Sequence, residues 1–484
     1  MSYTPNRSSV SLADGPQLDS FGRLRVSQSN TLFDSQQEYG LDTLRYWDAS
    51  ANGTLSINTA QSNGSVTNGS NAVGPRNLAT RHTPITVSTT NGHYAVLQSR
   101  QYVRYIPGKS HLIFITGVFA PASDFGASFV RRTSTSGSVV DTAVVQADWN
   151  VDKLDGTGVS GITIDFTKAQ ILYIQAQWLG TGRVTVGFDI NGILYPVHHF
   201  LNANSLTVPY TQTFNLPVRM ETRNISATTT VARSGYFDSE NGIFLEMSKT
   251  GGSPAGGSIH FGCCSVQSES GSEQRGAPQS SPVGISTVAV TTRRPVLSIR
   301  PKALFNLLNN RAHIENITQL LRATTNDSMY EVVLGGTLTG ASWVPVGTVY
   351  TAGAFVTGLQ YIILSVGTTN FTLIGASANT IGVIFTATGA GTGTGTVATT
   401  NSVTEYDSSA TAISGGEVVA KGFAISGSGA IAQVIHEEAD LRHPLVISKI
   451  DALAVTQPAI TIVCTSFGGT SNVTALMNWH EQVI

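Results

Sequence analysis

Residues 183–200 read RVTVGFDINGILYPVHHF. Val184, Val186, Phe188 and Ile190 alternate with Arg183, Thr185, Gly187 and Asp189, a period of two that sends the apolar set to one face of a strand. Asn191-Gly192 then supplies the two positive-φ positions that a type I′ turn requires, so the segment predicts a β-hairpin. Asn91-Gly92, ahead of HYAVLQSRQYVRYI, and Asn241-Gly242, inside YFDSENGIFLEM, offer the same turn chemistry. GITIDF (161–166) and QILYIQAQWL (170–179) read as further strands. Many short strands with turn signals between them predict a mainly β chain built as antiparallel sandwiches. One helix is expected, in PKALFNLLNNRAH (301–313), where Leu304, Leu307 and Leu308 fall at helical spacing.

A second feature limits how such sheets can be used. From Val332 to Thr404, 73 residues carry no charged side chain and no histidine. A disordered stretch of that length is normally polar and charged, whereas this one holds Phe355, Tyr361, Ile362, Ile363, Leu364, Phe371, Ile374, Ile384 and Phe385. It should fold as a small β unit that buries only part of its surface alone. Lacking charge, it also lacks the residues that keep exposed sheet edges from pairing with other chains, so neighbouring subunits are expected to cover it.

Within that stretch Gly389, Gly391, Gly393 and Gly395 recur every second residue. This is no dinucleotide fingerprint, which needs G-x-G-x-x-G between strand and helix and an acid about 20 residues on. Period two instead predicts a strand with a bare glycine face and Ala390, Thr392, Thr394 and Thr396 opposite. Gly389, Gly391, Gly393, Gly395, Thr392, Thr394 and Phe385 are therefore the candidate interaction surface, either packed against a backbone or ring or in contact with a ligand.

At 484 residues, two or more domains are expected. Residues 1–45 are polar and weakly periodic and read as an extended N-terminal arm; 46–268 form the first β-sandwich, of jelly-roll type. The stretch SVQSESGSEQRGAPQSSPVG (265–284) is a linker by its Ser, Gly and Pro content, with 269–283 as its body. GGTLTGASW (335–343) and SVTEYDSSATAISGG (402–416) read as strands of one sheet, which makes 284–346 and 400–484 a discontinuous second β domain and 347–399 an insertion.

Charged residues are 12% and net charge is −2 with no basic run, which argues against a nucleic-acid partner. The best apolar run, HLIFITGVFA (111–120), is too short for a membrane span of roughly 20 residues, so no membrane insertion is expected. MSYTPNRSSVSLADG lacks the apolar core of a secretory signal, and synthesis in a cytoplasm is the expectation. Arginines number 21 against seven lysines, a ratio suited to packed subunit contacts.

The chemistry-bearing motifs are weak. HEEADLRH (436–443) gathers two histidines and three acids, but at seven-residue rather than i, i+4 spacing, and reads better as a solvated or intersubunit patch than as a metal site. His198 and His199 lie in a strand and point to opposite faces; Asp189 lacks the acidic pattern of a calcium loop. GGSPAGG (251–257) is not a nucleophile elbow, and paired carboxylates for glycoside cleavage stay open. Trp149, Trp178, Tyr173 and Tyr195 read as core before they read as sugar platforms, and Cys263, Cys264 and Cys464 as buried reduced thiols. No catalytic, cofactor or metal residue is assigned.

Several blocks carry a resemblance: DSFGRLRVSQSNTLFDSQQEYG (19–40), YIPGKS (105–110), DWNVDKLDGTGVSGITIDFTKAQILYIQAQWLGTGRVTVGFDINGI (148–193), GGTLTGASW and TIVCTSFGGTSNVTALMNWHE (461–481). Together they resemble a structural-protein family of tailed bacteriophages. The segment YIILSVGTTNFTLIGASANTIGVIFTATGAGTGTGTV (361–397) resembles a small module found in many phage structural proteins. The resemblance implies a non-enzymatic virion subunit without cofactor, in tail, baseplate or fibre, with a capsid-decorating or vertex protein as the alternative. It implies a homo-oligomer, a trimer in the first instance, in contact with other virion proteins. A glycan-binding adhesin touching the host surface and a polysaccharide depolymerase are the readings from other classes.

Overall fold

The computed structural model describes residues 17–18, 24–25, 29–36, 47–56, 66–74, 82–105, 108–269, 276–281, 288–305, 308–310, 312–399, 402–426, 445, 447–449 and 455–482. Among them the protein is β throughout, with all strand ladders antiparallel and two short 3₁₀ turns, Gln146–Asp148 and Phe371–Ile374. The chain divides into two compact units that meet near residues 273–274 in sequence.

The first unit is a two-sheet sandwich. One sheet runs Ile193–Phe200, Val184–Ile190, Gln170–Gln177, Ser110–Val118, Gly257–Glu269, Thr83–Val87, Asn71–Val73, Val66–Asn68, with Ser29–Gln36 also paired to Gly257–Glu269. The other runs Val140–Val145, Gly126–Thr133, Gly242–Thr250, Thr229–Phe237, Val218–Asn224, Tyr94–Ser99, Trp47–Ala51, Thr54–Ser56. Ser110–Val118 shows the cause: every second residue, including Ile113 and Ile115, is buried. These side chains meet Phe129, Leu172, Ile174, Phe188, Met220, Leu245 and Phe261 in one core, with Trp47 edge-on to Phe261 at 4.8 Å.

The 183–200 hairpin forms, with Asn191 at φ 57° and Gly192 at φ 81° closing the Ile190–Ile193 pair. Asn241-Gly242 also lies in a hairpin, but the loop has four residues: Asp238 Oδ1 accepts from the Glu240 and Asn241 amides, and Asn241 keeps a negative φ. Asn91-Gly92 departs from expectation. Thr83–Val87 and Tyr94–Ser99 belong to different sheets, so this turn crosses the sandwich rather than closing a hairpin. GITIDF is no strand either; its single bridge, Asp155 to Thr163, sits in a loop whose backbone bonds internally, Gly156 to Ile162 and Ile164 to Leu154.

The second unit packs two sheets around Ile299, Leu321, Val332, Ile462, Met477 and Trp479. One sheet is ordered Val344–Pro345, Thr404–Asp407, Arg294–Pro301, Ile460–Ser466, Ser328–Leu334, Glu417–Ala424. In the other, Ser471–Gln482 pairs with Ala277–Ser280, Val288–Val290 and His313–Ala323. The blocks flanking the insertion 347–399 pair with each other: Thr337–Thr339 with Ala412–Ser414, and Val344–Pro345 with Thr404–Asp407.

Three further expectations are corrected. The helix after Pro301 is absent: Leu304–Phe305 pairs with Leu308–Asn309 as a small hairpin, which the Asn310 side chain pins by donating to the Lys302 and Val403 carbonyls at 2.9 Å each. Tertiary hydrogen bonds override the helical spacing of the leucines. The linker is narrower than its composition suggests, since Ser265–Ser268 continue a strand and Ala277–Ser280 form another. Most of the 1–45 arm lies outside the described residues, but Ser29–Gln36 is a sandwich strand held by Phe33, buried 5.9 Å from Trp47.

Candidate functional site

The uncharged insertion folds within the second unit around its own core. Its strands are ordered Val349–Thr351, Thr396–Thr399, Gln360–Ser365, Ile384–Thr386, and Phe355, Tyr361, Ile363, Phe371, Phe385 and Val397 fill the centre. Its ends meet, because the Thr399 amide donates to the Thr348 carbonyl at 3.1 Å.

The glycine run is not the predicted strand. Residues 387–395 form a bent loop between Ile384–Thr386 and Thr396–Thr399, with Gly391 at φ 70° and Gly393 at φ 110°, so the four glycines share no face. The loop lies on the module's own aromatics: a Cβ on Gly391 would sit 2.9 Å from the Phe355 ring, and one on Gly395 2.8 Å from the Phe371 ring. Thr368 and Thr394 lock it by exchanging amide-to-hydroxyl bonds of 3.1 Å each way. Of the candidate surface, Phe385 and Gly395 are therefore buried in the module core; Thr392, Gly393 and Thr394 are exposed, and Gly389 and Gly391 half-buried. Leu373 (78% exposed), Ile381 and Val356 lie in the same module and add an apolar component that sequence periodicity did not single out.

The other candidates are structural in their surroundings. His198 is buried edge-on to Phe200 at 4.6 Å, and His199 faces the Thr185 hydroxyl at 3.1 Å. Asp189 accepts from the Gly192 amide and so fixes the hairpin turn. Trp149 is buried in the core, Tyr173 is buried on the other face of its sheet beside Phe114 at 6.4 Å, Trp178 packs edge-on against Tyr105 at 5.5 Å, and Tyr195 is half-buried. The three cysteines are free; burial raises the Cys264 thiol well above its ordinary range and pushes Cys464 up to about 12. The 436–443 patch lies outside the described residues.

Two buried polar features went unread in the sequence. In Val218–Asn224 the charged Arg219, Glu221 and Arg223 alternate with Val218, Met220, Thr222 and Asn224, a pattern that normally marks a solvated face, yet Arg219 is 2% and Glu221 1% exposed. The Glu221 carboxylate accepts from Arg219 Nε at 2.9 Å and Arg233 Nη1 at 3.1 Å, while Arg233 Nε donates to Glu246 at 2.7 Å and Arg219 Nη1 to Gln98 at 2.9 Å. Burial alone would raise the Glu221 carboxyl, but Arg219, Arg223, Arg233 and Arg132 together hold it well below the usual range. His111 is buried among Tyr105, Phe214 and Tyr236, and desolvation lowers it to about 4, the Arg104 carbonyl opposing.

Exposed aliphatics collect on sheet edges. In the first unit the edge strand Val140–Val145 is exposed along nearly its whole length, with Val139, Val140 and Val145 all near half exposure. In the second, Phe423 of the edge strand Glu417–Ala424 and Phe467, each 61% exposed, lie 5.8 Å apart with their rings tilted by 41°. Such edges offer main-chain donors and acceptors with apolar side chains beside them, the combination that recruits another strand.

No family model matches the sequence, and no curated protein matches it. Among solved structures, similarity is found to a lectin from Bauhinia forficata in complex with GalNAc, at 11% identity over 49% of this chain and 98% of the lectin, TM-score 0.15. The potassium-bound carbohydrate recognition domain of Emp46p is similar at 10% identity over 48% of this chain and 96% of the domain, TM-score 0.14. At these TM-scores the likeness carries no argument about what the chain binds.

Proposed function

We propose that the chain is a non-enzymatic structural subunit of a tailed-phage virion, of tail, baseplate or fibre, that holds identical and neighbouring subunits through sheet edges. The observation that carries this reading is the set of edge strands with exposed aliphatics, Val140–Val145 foremost, in a chain only 12% charged. A free monomer gains nothing from such edges; an assembly covers them. The sequence blocks that resemble phage structural proteins favour a virion as that assembly. Antibody-gold labelling of purified particles tests it: label at the tail in a fixed number of copies is expected, label on the head moves the chain to the decorating role, and unlabelled particles overturn the reading.

A second reading, a glycan-binding adhesin, draws on the exposed hydroxyls of Thr388, Thr392 and Thr394 in an uncharged loop. The burial of Phe355, Tyr361, Phe371 and Phe385 denies that loop a stacking platform, which leaves this reading behind the first. Retention of one glycan class on an array by the purified chain, lost in a Thr392→Ala/Thr394→Ala variant, would reverse the order.

A further inference from the structure

We infer that Arg131 and Tyr210, at one end of the first sandwich, form a carboxylate-binding site whose occupant is an acidic side chain set among apolar ones on a neighbouring subunit. The choice of occupant rests on the assembly reading above; the site itself does not.

Alternation along Gly126–Thr133 sends Phe129 and Arg131 toward the sandwich interior and Val130 and Arg132 to the opposite face. On that opposite face the arginines are compensated: Arg132 pairs with Asp141, Arg219 and Arg223 with Glu221, and Arg233 with Glu221 and Glu246. Arg131 is half-buried and pairs with no carboxylate among the described residues. Its one hydrogen bond runs from Nη1 to Asn202 Oδ1 at 2.6 Å. Nε is enclosed without a partner, while Nη2 is neither bonded nor enclosed. The Nε–Nη2 side of the guanidinium, which takes a carboxylate through two parallel bonds entered at Nη2, is thus uncommitted. Tyr210 is 2% exposed, and its hydroxyl also lacks a partner. Burial raises the Tyr210 hydroxyl and Arg131 opposes that shift, so the two lie within electrostatic reach of each other. Buried donors of this kind are costly unless an acceptor is supplied.

Two loops hold the pair. Asn202 Nδ2 donates to the Gly182 carbonyl at 2.8 Å, the Tyr210 amide to the Gly180 carbonyl at 2.9 Å, and Trp178 Nε1 to Thr211 Oγ1 at 3.0 Å. On these loops Leu179, Leu201 and Val208 are 53%, 67% and 54% exposed, and Leu179 keeps a φ of 37°, a conformation leucine adopts at a cost. Residues 178–182 and 201–210 expose no aromatic ring, so the rim lacks a stacking platform for a sugar. Arginine amid aliphatic surface is instead the make-up of an interface centre, and its uncompensated charge calls for an acid opposite.

Valerate, a carboxylate with an aliphatic tail, is the probe for the full chain, followed through the methyl signals of Leu179, Leu201 and Val208. Saturable shifts are expected, with a Kd at least tenfold higher for Arg131→Met, and for uncharged valeramide on the wild type. Because Arg131 has no acid to strand, Arg131→Met should melt no lower than the wild type, whereas Arg233→Met, which strands Glu221 and Glu246, should melt lower. Tyr210→Phe removes a hydroxyl that bonds nothing in the chain, so it should keep the melting temperature while weakening valerate. Valerate shifts unchanged in both site variants, or no saturable shift in the wild type, would overturn the site. Tighter binding of glucuronate or N-acetylneuraminate than of valerate would overturn the protein occupant in favour of an acidic glycan. Particles made with Arg131→Met should incorporate the chain at least tenfold less, and normal incorporation would overturn the subunit occupant. Particles that lack even the wild-type chain would fail the assembly reading and leave the valerate result standing.

Discussion

His111 gives a sharp test of how the first unit is held together. Its ring lies between Tyr105, Phe214 and Tyr236, with Nε2 lacking a hydrogen-bond partner, and desolvation lowers it from 6.5 to about 4. The folded state therefore prefers the neutral ring, and the unfolded chain binds the extra proton between those values. Stability is fully present above pH 6.5 and is lost as pH falls toward 4, below which this residue adds no further loss. At roughly 1.4 kcal/mol for each pH unit, the gap amounts to about 3 kcal/mol. Tyr105 and Tyr236 are raised and stay neutral throughout this range, so the nearby aromatics do not titrate in competition. His82, His198, His199 and His260 are also lowered by burial and act in the same direction, so the assay is a difference: urea unfolding of the wild type and of His111→Phe from pH 7 to pH 4. The wild type should lose about 3 kcal/mol more than the variant over that range. Parallel pH profiles for the two proteins would refute a desolvated neutral ring.

Three further outcomes are expected. Glu221→Gln leaves buried arginines without their counter-charge and should cost about 3–5 kcal/mol, read as a fall in melting temperature. Gly391→Ala forces a side chain at φ 70° against Phe355 and should cost about 1–3 kcal/mol locally, speeding amide exchange in Gln360–Ser365 and Thr396–Thr399 while Ser110–Val118 keeps its protection. On the virion reading proposed above, excising residues 348–399, whose ends already touch, should leave the second unit folded but lower host adsorption or particle yield; unchanged plaque titres would show that the module contacts nothing essential.

The sequence revealed most where side-chain alternation and turn chemistry agree. Val184–Ile190, Asn191-Gly192 and Ile193–Phe200 are legible because each apolar residue has one face to occupy and the turn needs two positive φ values. The β character of 347–399 is legible too, since its aromatics cannot stay solvated. What misled was pattern without context. Leucines at 304, 307 and 308 fit a helix until Asn310 and Lys302 bind the 402–403 backbone. Glycines at every second position imitate a strand, yet φ at Gly391 and Gly393 turns the chain away from one. Arg219, Glu221 and Arg223 alternate like a wet surface, and only the fold brings Gln98, Arg233 and Glu246 around them to make burial tolerable. The edge at Val140–Val145 was invisible because openness belongs to a sheet's order, which no short stretch of sequence encodes.

Sedimentation velocity of the purified full chain across a hundredfold range of concentration addresses the central claim most directly. Edges that are stable only when covered predict mass-action growth from monomer to a defined oligomer within that range. A single species at the monomer mass of 51.0 kDa at every concentration would contradict it.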